Sequence, residues 1–220
     1  MQNDAVAGYY KILKKKKASL VIKRVFDLTV SLAMLVILSP ALAVLAVLIK
    51  LDSKGPVFYR QERVTACNRT FRIFKFRTMV QNADQIGSLV TVGNDPRITR
   101  VGSKIRQCRL DELPQLINIV KGEMSFVGTR PEVRKYVEYY TDEMMATLLL
   151  PAGVTSLASI TYKDEDEIME KHTFQGENAD DAYVKYVLPE KMKYNLEYLI
   201  DFSFINDIKL MFKTVRAVVR

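Results

Sequence analysis

The densest run of reactive side chains lies at residues 106–116, RQCRLDELPQL, where two adjacent carboxylates, Asp111 and Glu112, stand among Arg106 and Arg109. Leu113, Leu116, Ile117 and Val120 mark the buried face of a helix that Gly122 closes, and Pro114 suits its first turn. Asp111 and Glu112 therefore sit at a helix N-terminus. Spacing leaves two readings open. One is an N-cap with a first-turn acid favoured by the helix dipole. The other is a carboxylate held ionised among arginines, as a phosphate-processing centre requires. Downstream, SFVGTRP (residues 125–131) is a compact turn presenting Arg130, which the following proline pushes towards extended geometry and which suits bidentate phosphate contact. His172 is the only histidine and has no cysteine or second histidine nearby, so it reads as surface or structural rather than as a metal ligand.

These groups must be positioned by elements that the hydropathy pattern outlines. Residues 25–49 form an apolar run with one charge, Asp27, interrupted by Ser39 and Pro40. At ~1.5 Å per residue the run reaches roughly 37 Å, enough to cross a hydrocarbon core of ~30 Å, whereas either half alone is too short. Lys14 to Lys17, Lys23 and Arg24 precede it, and Lys50, Lys54, Arg60, Arg63, Arg69 and Arg72 follow it. Cations on both flanks ask both ends to stay cytoplasmic, which a re-entrant hairpin satisfies and a spanning helix does not. Pro40 has no N–H for the carbonyl of Val36, so a break is expected there, and the Ser39 hydroxyl is expected to bond back to the carbonyl of Leu35. No small-residue cleavage site follows the run, so it reads as a retained membrane element rather than a signal peptide.

Residues 56–61 and 70–77 read as two short strands, the second alternating Phe71, Ile73 and Phe76 with Arg72, Lys75 and Arg77. Residues 94–97, NDPR, signal a turn, and residues 99–109 a helix. Residues 132–150 read as helix, 151–156 as loop, 163–170 as a solvated acidic stretch, and the first ten residues as loose. The tail, residues 206–220, is amphipathic. Ile208, Met211, Phe212, Val215, Val218 and Val219 share one face and Lys209, Lys213, Arg216 and Arg220 the other. Packing on the core and lying in the membrane interface are both open to it. The expected architecture is α+β, mostly helical. A basic N-terminal flank (1–24) leads into a re-entrant membrane helix-break-helix (25–49). A cytosolic catalytic domain (50–220) follows, with a short β-hairpin and interfacial amphipathic helices.

The 33 Lys and Arg against 25 Asp and Glu, a net charge of +8, suit anionic lipid, phosphorylated substrates or nucleic acid. The basic residues flank a membrane segment and form no nucleic-acid motif, so no nucleic acid is expected. Cys67 and Cys108 make neither a disulfide framework nor a CxxC pair, which places the domain in a reducing, cytosol-facing compartment.

The ordered set of motifs resembles the bacterial sugar transferase family, the small monotopic phosphoglycosyl transferases. The matching pieces are KRVFD (23–27), the apolar run with Ser39 and Pro40, GPVFYRQERV (55–64), KFRTM (75–79), NDPRITRVG (94–102), LDELPQL (110–116) and KGEMSFVGTRP (121–131). The resemblance implies a membrane enzyme that moves a sugar phosphate from a nucleoside diphosphate sugar, UDP being the expected carrier, to polyprenyl phosphate. UMP would be released, and the step would be the first on the membrane in making a surface glycan. It implies that Asp111 is the nucleophile of a covalent phosphosugar intermediate, that Glu112 is associated with Mg²⁺, and that Lys75, Arg106 and Arg130 bind substrate phosphate. It also implies the cytoplasmic face of the bacterial inner membrane, and leaves a homodimer open. Two departures stand out. GTRP replaces the usual GPRP, and residues 151–166, PAGVTSLASITYKDED, lack the Gln, Asn and Arg usual there. The matched unit is one without the extra membrane helices that longer members carry ahead of it. The competing expectation is a non-catalytic single-pass adaptor whose basic domain holds anionic lipid.

Overall fold

The computed structural model describes residues 3–83, 95–162 and 164–219. Helix α1, Asp4–Lys15, replaces the loose start expected from the sequence. Asn3 caps it by accepting the Ala5 N–H at 2.7 Å, and Val6 and Leu13, two turns apart, both face the core. Helix α2, Lys17–Asp52, then runs 36 residues through Ser39 and Pro40. The Ser39 hydroxyl donates to the carbonyl of Val36 at 2.8 Å, not to that of Leu35. Val36 is the residue four back from Pro40, so the hydroxyl satisfies the carbonyl that the proline leaves without a partner.

Both ends of α2 hold the same globular body. Near its start, Lys23 and Asp27 are buried, and Arg24 donates to the carbonyls of Ile119 and Val120 at 2.7 and 3.0 Å. Phe26, Val30, Met34, Leu35 and Leu38 pack on the main core. Lys23 is thus drawn inside rather than standing in an exposed cationic collar. Near its end, Leu42, Leu45, Ala46 and Ile49 join a second cluster with Phe76 and Ile105. There the Asp52 carboxylate accepts the Val101 N–H at 2.9 Å. Val36 and Ile37 remain about three-quarters exposed, at 74% and 73%, and Val44, Val47 and Leu51 also face outward. The outer face of α2 is continuous, apolar and uncovered.

Strands β1 (Phe58–Thr65) and β2 (Arg69–Phe76) form the expected antiparallel hairpin, in register from Phe58 opposite Phe76 to Thr65 opposite Arg69. Helix α3 (Arg100–Gln107), capped by the Thr99 hydroxyl on the Gly102 N–H, and α4 (Gln115–Lys121), ended by left-handed Gly122, follow the expected pattern. At residues 94–97, the Asp95 side chain accepts the Arg97 N–H as a turn requires, while Asn94 lies outside the described residues.

Two expectations are corrected downstream. The helix expected over 132–150 is short α5 (Arg134–Val137) and a separate 3₁₀ segment, Met144–Leu149, restarted by the Thr141 hydroxyl on the Met144 N–H. The loop expected at 151–156 contains strand β4 (Ala152–Thr155), which pairs in parallel with buried β3 (Met124–Val127). Gly128 and Gly153 let the two chains meet there, with the Gly128 N–H bonding the Thr155 carbonyl and the Gly153 N–H the Thr129 carbonyl. After α6 (Leu157–Thr161), the acidic stretch enters α7 (Glu165–Phe174), with Asp164, Glu167 and Glu170 exposed as expected and Met169 buried beneath them; Lys163 lies outside the described residues. His172 stacks on Tyr186 and reaches Glu177 at 3.0 Å, a structural position.

Helix α8 (Ala179–Ala182) runs through a π turn into α9 (Leu188–Ile200), and α10 (Phe204–Val219) closes the chain. Helix α10 buries Asp207 and Leu210 against the body while Ile205, Phe212 and Val215 face outward. The side chains of Val218, Val219 and Arg220 lie outside the description.

Candidate active site

Arg109 adopts the left-handed conformation and turns the chain out of α3 into a single 3₁₀ turn, Leu110–Glu112, before α4 begins. Leu110 packs beside Ile49, Phe76 and Ile105. No side chain caps α4, so the capping role open to Asp111 and Glu112 is not used. Helix α4 is fixed to β2 by Asn118, which is fully buried. It accepts the Phe74 N–H at 2.8 Å and donates to the Arg72 carbonyl at 3.0 Å and to Glu123 at 2.7 Å. That clamp sets Lys75, the next residue of β2, beside Glu112.

Glu112 Oε1 accepts from Lys75 Nζ at 2.9 Å and from an Arg130 guanidinium nitrogen at 2.7 Å. Arg130 follows β3 directly, so the β3–β4 pairing positions it. Burial pushes the Glu112 carboxyl up, but Arg130 and Lys75 outweigh burial and hold it well below the usual carboxylate range. Glu112 in turn raises the Arg130 guanidinium further, while burial lowers the Lys75 ammonium against the pull of Glu112. Asp111 differs. Burial raises its carboxyl above the ordinary 3.8, Lys75 opposes this and adjacent Glu112 adds to it. One carboxylate is locked as an ion between two cations, and its neighbour is left with a raised pKa and a side chain on an open cleft.

The cleft holds about 700 Å³ and is lined by Lys75, Arg106, Asp111 and Arg130, with Glu112 behind the two cations it binds. Four of the five residues singled out in the sequence therefore line one cavity, and the fifth braces it. Ser39 and Pro40 lie apart from it, on the exposed face of α2. Arg63, Arg77 and Arg97 also line the cleft and were passed over. Arg77 and Arg97 stand inside KFRTM and NDPRITRVG, where basic residues in chemically dense segments were the available signal. Asn118 left a fainter trace as a lone amide on the apolar face of α4.

Among the described residues no three His, Cys, Asp or Glu side chains gather as a metal cage. The donor set fits a hard cation in one way only. Both cations meet Oε1 of Glu112 and leave Oε2 without a hydrogen bond among the described residues. One carboxylate oxygen together with waters and ligand phosphate oxygens is a coordination that Mg²⁺ accepts.

The model for the bacterial sugar transferase family matches residues 18–220. The chain belongs to this family. It is 37% identical over 200 residues to a UDP-N-acetylgalactosamine-undecaprenyl-phosphate N-acetylgalactosaminephosphotransferase of Aeromonas hydrophila, covering 90% of this chain and 43% of that one. Against a putative undecaprenyl-phosphate N-acetylgalactosaminyl 1-phosphate transferase of Bacillus subtilis it is 41% identical over 135 residues, 61% of this chain and 75% of that one. Against the exopolysaccharide production protein ExoY of Sinorhizobium fredii it is 32% identical over 211 residues, 89% and 84%. The chain spans about two-fifths of the length of the first two curated relatives it matches, 43% and 35%. The family match covers every element that forms the cleft.

Proposed function

We propose that this sugar transferase family member moves a sugar 1-phosphate from a UDP-sugar to polyprenyl phosphate, giving polyprenyl-diphosphate sugar and UMP. The observation that carries the reading is Asp111, its carboxyl raised by burial, on a cationic cleft beside a Glu112 already committed to Lys75 and Arg130. A higher pKa makes a carboxylate a stronger nucleophile, provided it is ionised. Lys75, Arg106 and Arg130 supply the positive charge that attack on an anionic phosphorus requires.

In the first step an Asp111 carboxylate oxygen bonds to the sugar-bearing phosphorus. The bond from that phosphorus to the bridging oxygen breaks, and UMP leaves with the electron pair. In the second step a phosphate oxygen of the polyprenyl acceptor bonds to the same phosphorus and the Asp111 oxygen leaves. The carboxylate is regenerated and nothing is oxidised or reduced. Mg²⁺, held by Glu112 together with the substrate's phosphate oxygens, would supply further charge neutralisation when bound.

The acceptor is a lipid, and the membrane reading has its own support. The outer face of α2 is apolar, and both of its ends hold one body through Arg24 and Asp52. Grips at both ends on one body are what a segment that enters and returns needs, and they favour re-entry over crossing although the helix runs unbroken through Pro40. Ile205, Phe212 and Val215 on α10 add a second apolar face of the kind that rests in an interface. The resulting place is the cytoplasmic face of the bacterial inner membrane, where soluble nucleotide sugars and polyprenyl phosphate meet at the start of surface glycan assembly.

The test is product analysis. Purified protein with a panel of UDP-sugars, polyprenyl phosphate and Mg²⁺ is expected to release UMP, and Asp111→Asn is expected to lose turnover while keeping its fold. Release of UDP would overturn the mechanism.

A further inference from the structure

The cleft continues past Arg130 into a wall that phosphate chemistry does not use. Glu132, Tyr183 and Lys191 line it and are 7%, 4% and 6% exposed, and Glu165 joins them at its rim. They form one hydrogen-bonded chain. The Tyr183 hydroxyl donates to Glu132 Oε1 at 2.6 Å, Lys191 Nζ donates to the Tyr183 oxygen at 3.2 Å, and Lys191 Nζ donates to Glu165 Oε1 at 3.1 Å. Burial and then Glu132 raise the Tyr183 phenol far above its ordinary value, so it stays protonated and keeps this direction.

Packing alone does not require this chain. Lys191 lies between Leu188 and Met192, both in the core cluster with Val187, and an apolar residue of similar size would fill the space without a buried ammonium. An ammonium has three donors, and Lys191 spends two on described residues. Glu132 Oε2 is likewise without a hydrogen bond among the described residues. A spare donor and a spare carboxylate oxygen on one cleft wall, joined through the Tyr183 hydroxyl, complement the hydroxyl groups of a ligand, each of which both gives and accepts a hydrogen bond.

This wall and the phosphate-facing cations share one cleft. Arg106 and Asp111 line it from α3 and the turn that follows, while Arg130 binds Glu112 at 2.7 Å and stands two residues before Glu132. The wall of Glu132 and Lys191 therefore continues the cleft beyond Arg130. A nucleoside diphosphate sugar attacked at its sugar-bearing phosphorus would place nucleotide and sugar on opposite sides of that atom.

We propose that Glu132, Tyr183, Lys191 and Glu165 form the wall that reads the hydroxyl groups of the donor's sugar and so set which nucleotide sugar is used. The inference rests on the phosphosugar transfer proposed above. It is tested with Lys191→Met, Tyr183→Phe and Glu165→Gln. The measurements are kcat and KM for UDP-glucose, UDP-galactose and their two N-acetylamino counterparts, with the inhibition constant of UMP alongside. Lys191→Met and Tyr183→Phe are expected to raise KM for the preferred donor ~10-fold and compress its lead over the epimer, with UMP inhibition unchanged. Should Lys191→Met not fold, Glu165→Gln, at a position 34% exposed, decides the matter by the same ratio. Donor preference identical to the wild type in every folded variant, or losses shared equally by all donors and by UMP, would overturn it. The underlying reaction is judged separately, by whether the wild type releases UMP at all.

Discussion

Replacing Lys23 with methionine tests how the apolar helix α2 is joined to the globular body. Lys23 donates to the Val127 carbonyl at 2.8 Å and pairs with Asp207, the two side chains being 6% and 3% exposed. The other Asp207 oxygen accepts from the Tyr198 hydroxyl at 2.8 Å. Without the ammonium, Asp207 is a buried carboxyl facing one neutral donor. If it stays ionised, the broken pair costs about 3–5 kcal/mol. If it takes a proton instead, the cost is set by the gap between pH 7 and its ordinary pKa of 3.8, about 4.4 kcal/mol at 1.36 kcal/mol per unit. Protonation caps the penalty, so the expected loss is ~3–4 kcal/mol.

The sign with pH follows from the same group. Burial already raises the Asp207 carboxyl in the folded protein, with Lys23 opposing, and removing Lys23 raises it further. A carboxyl with a raised folded pKa destabilises the fold fully above that pKa, and the penalty declines as pH falls from it towards the ordinary 3.8. Lys23→Met should therefore lose less stability at pH 5 than at pH 8. Adding Asp207→Asn should restore more than half of the loss. The assay is urea unfolding in detergent followed by tyrosine fluorescence, since the chain has 11 Tyr and no Trp. A loss under ~1 kcal/mol, a pH-independent loss, or no rescue by Asp207→Asn would refute the reasoning.

Asp111 must be ionised to attack, and its carboxyl is raised above 3.8 by burial. The acidic limb of kcat/KM should accordingly lie above the range of an ordinary aspartate, with activity lost as pH falls through it; a limb at or below 3.8 counts against this site as the nucleophile. Arg130→Met should lower kcat ~10²-fold with the fold retained, because it removes a cation from the cleft and half of the brace on Glu112; a change confined to KM would assign Arg130 to binding alone. Tags placed at Met1 and Arg220 in intact cells should be protected on the same, cytoplasmic side, and opposite sides would make α2 a spanning helix.

The gathering of the singled-out residues at one cleft was legible because most of them fall in contiguous motifs. Arg106, Asp111, Glu112 and Arg130 fall within 25 residues of sequence, and hairpin alternation drew attention to Lys75. What stayed hidden depended on contacts distant in sequence. Residues 152–155 carry Gly153 and look like a loop, yet pair with β3 because Gly128 and Gly153 let two backbones approach. Lys23 reads as one more flanking cation, and only Asp207, far along the chain, makes it a buried partner. Lys191 has no local signal, since its partners come from α7 and the π turn. Local periodicity specifies an element's face, while such polar clamps are specified by what that face meets.

Those clamps also explain why one apolar helix can govern the height of a phosphate site. The first part of α2 grips Val127 through Lys23 and Ile119 and Val120 through Arg24, and these neighbours lead towards Arg130 and away from Asp111 and Glu112. Its last turn grips α3, which carries Arg106, through Asp52, and Ser53 beyond it accepts from Arg77 at the end of the hairpin that carries Lys75. Each singled-out residue of the cleft thus lies within a few positions, or one packed element, of an anchor on α2. The exposed stretch between the anchors holds Ser39 and Pro40, with the orphaned Val36 carbonyl satisfied internally as a lipid environment demands. A membrane segment built this way fixes depth and orientation together. The transfer proposed for Asp111 needs both, because productive attack on a lipid phosphate tolerates little displacement of the reacting atoms.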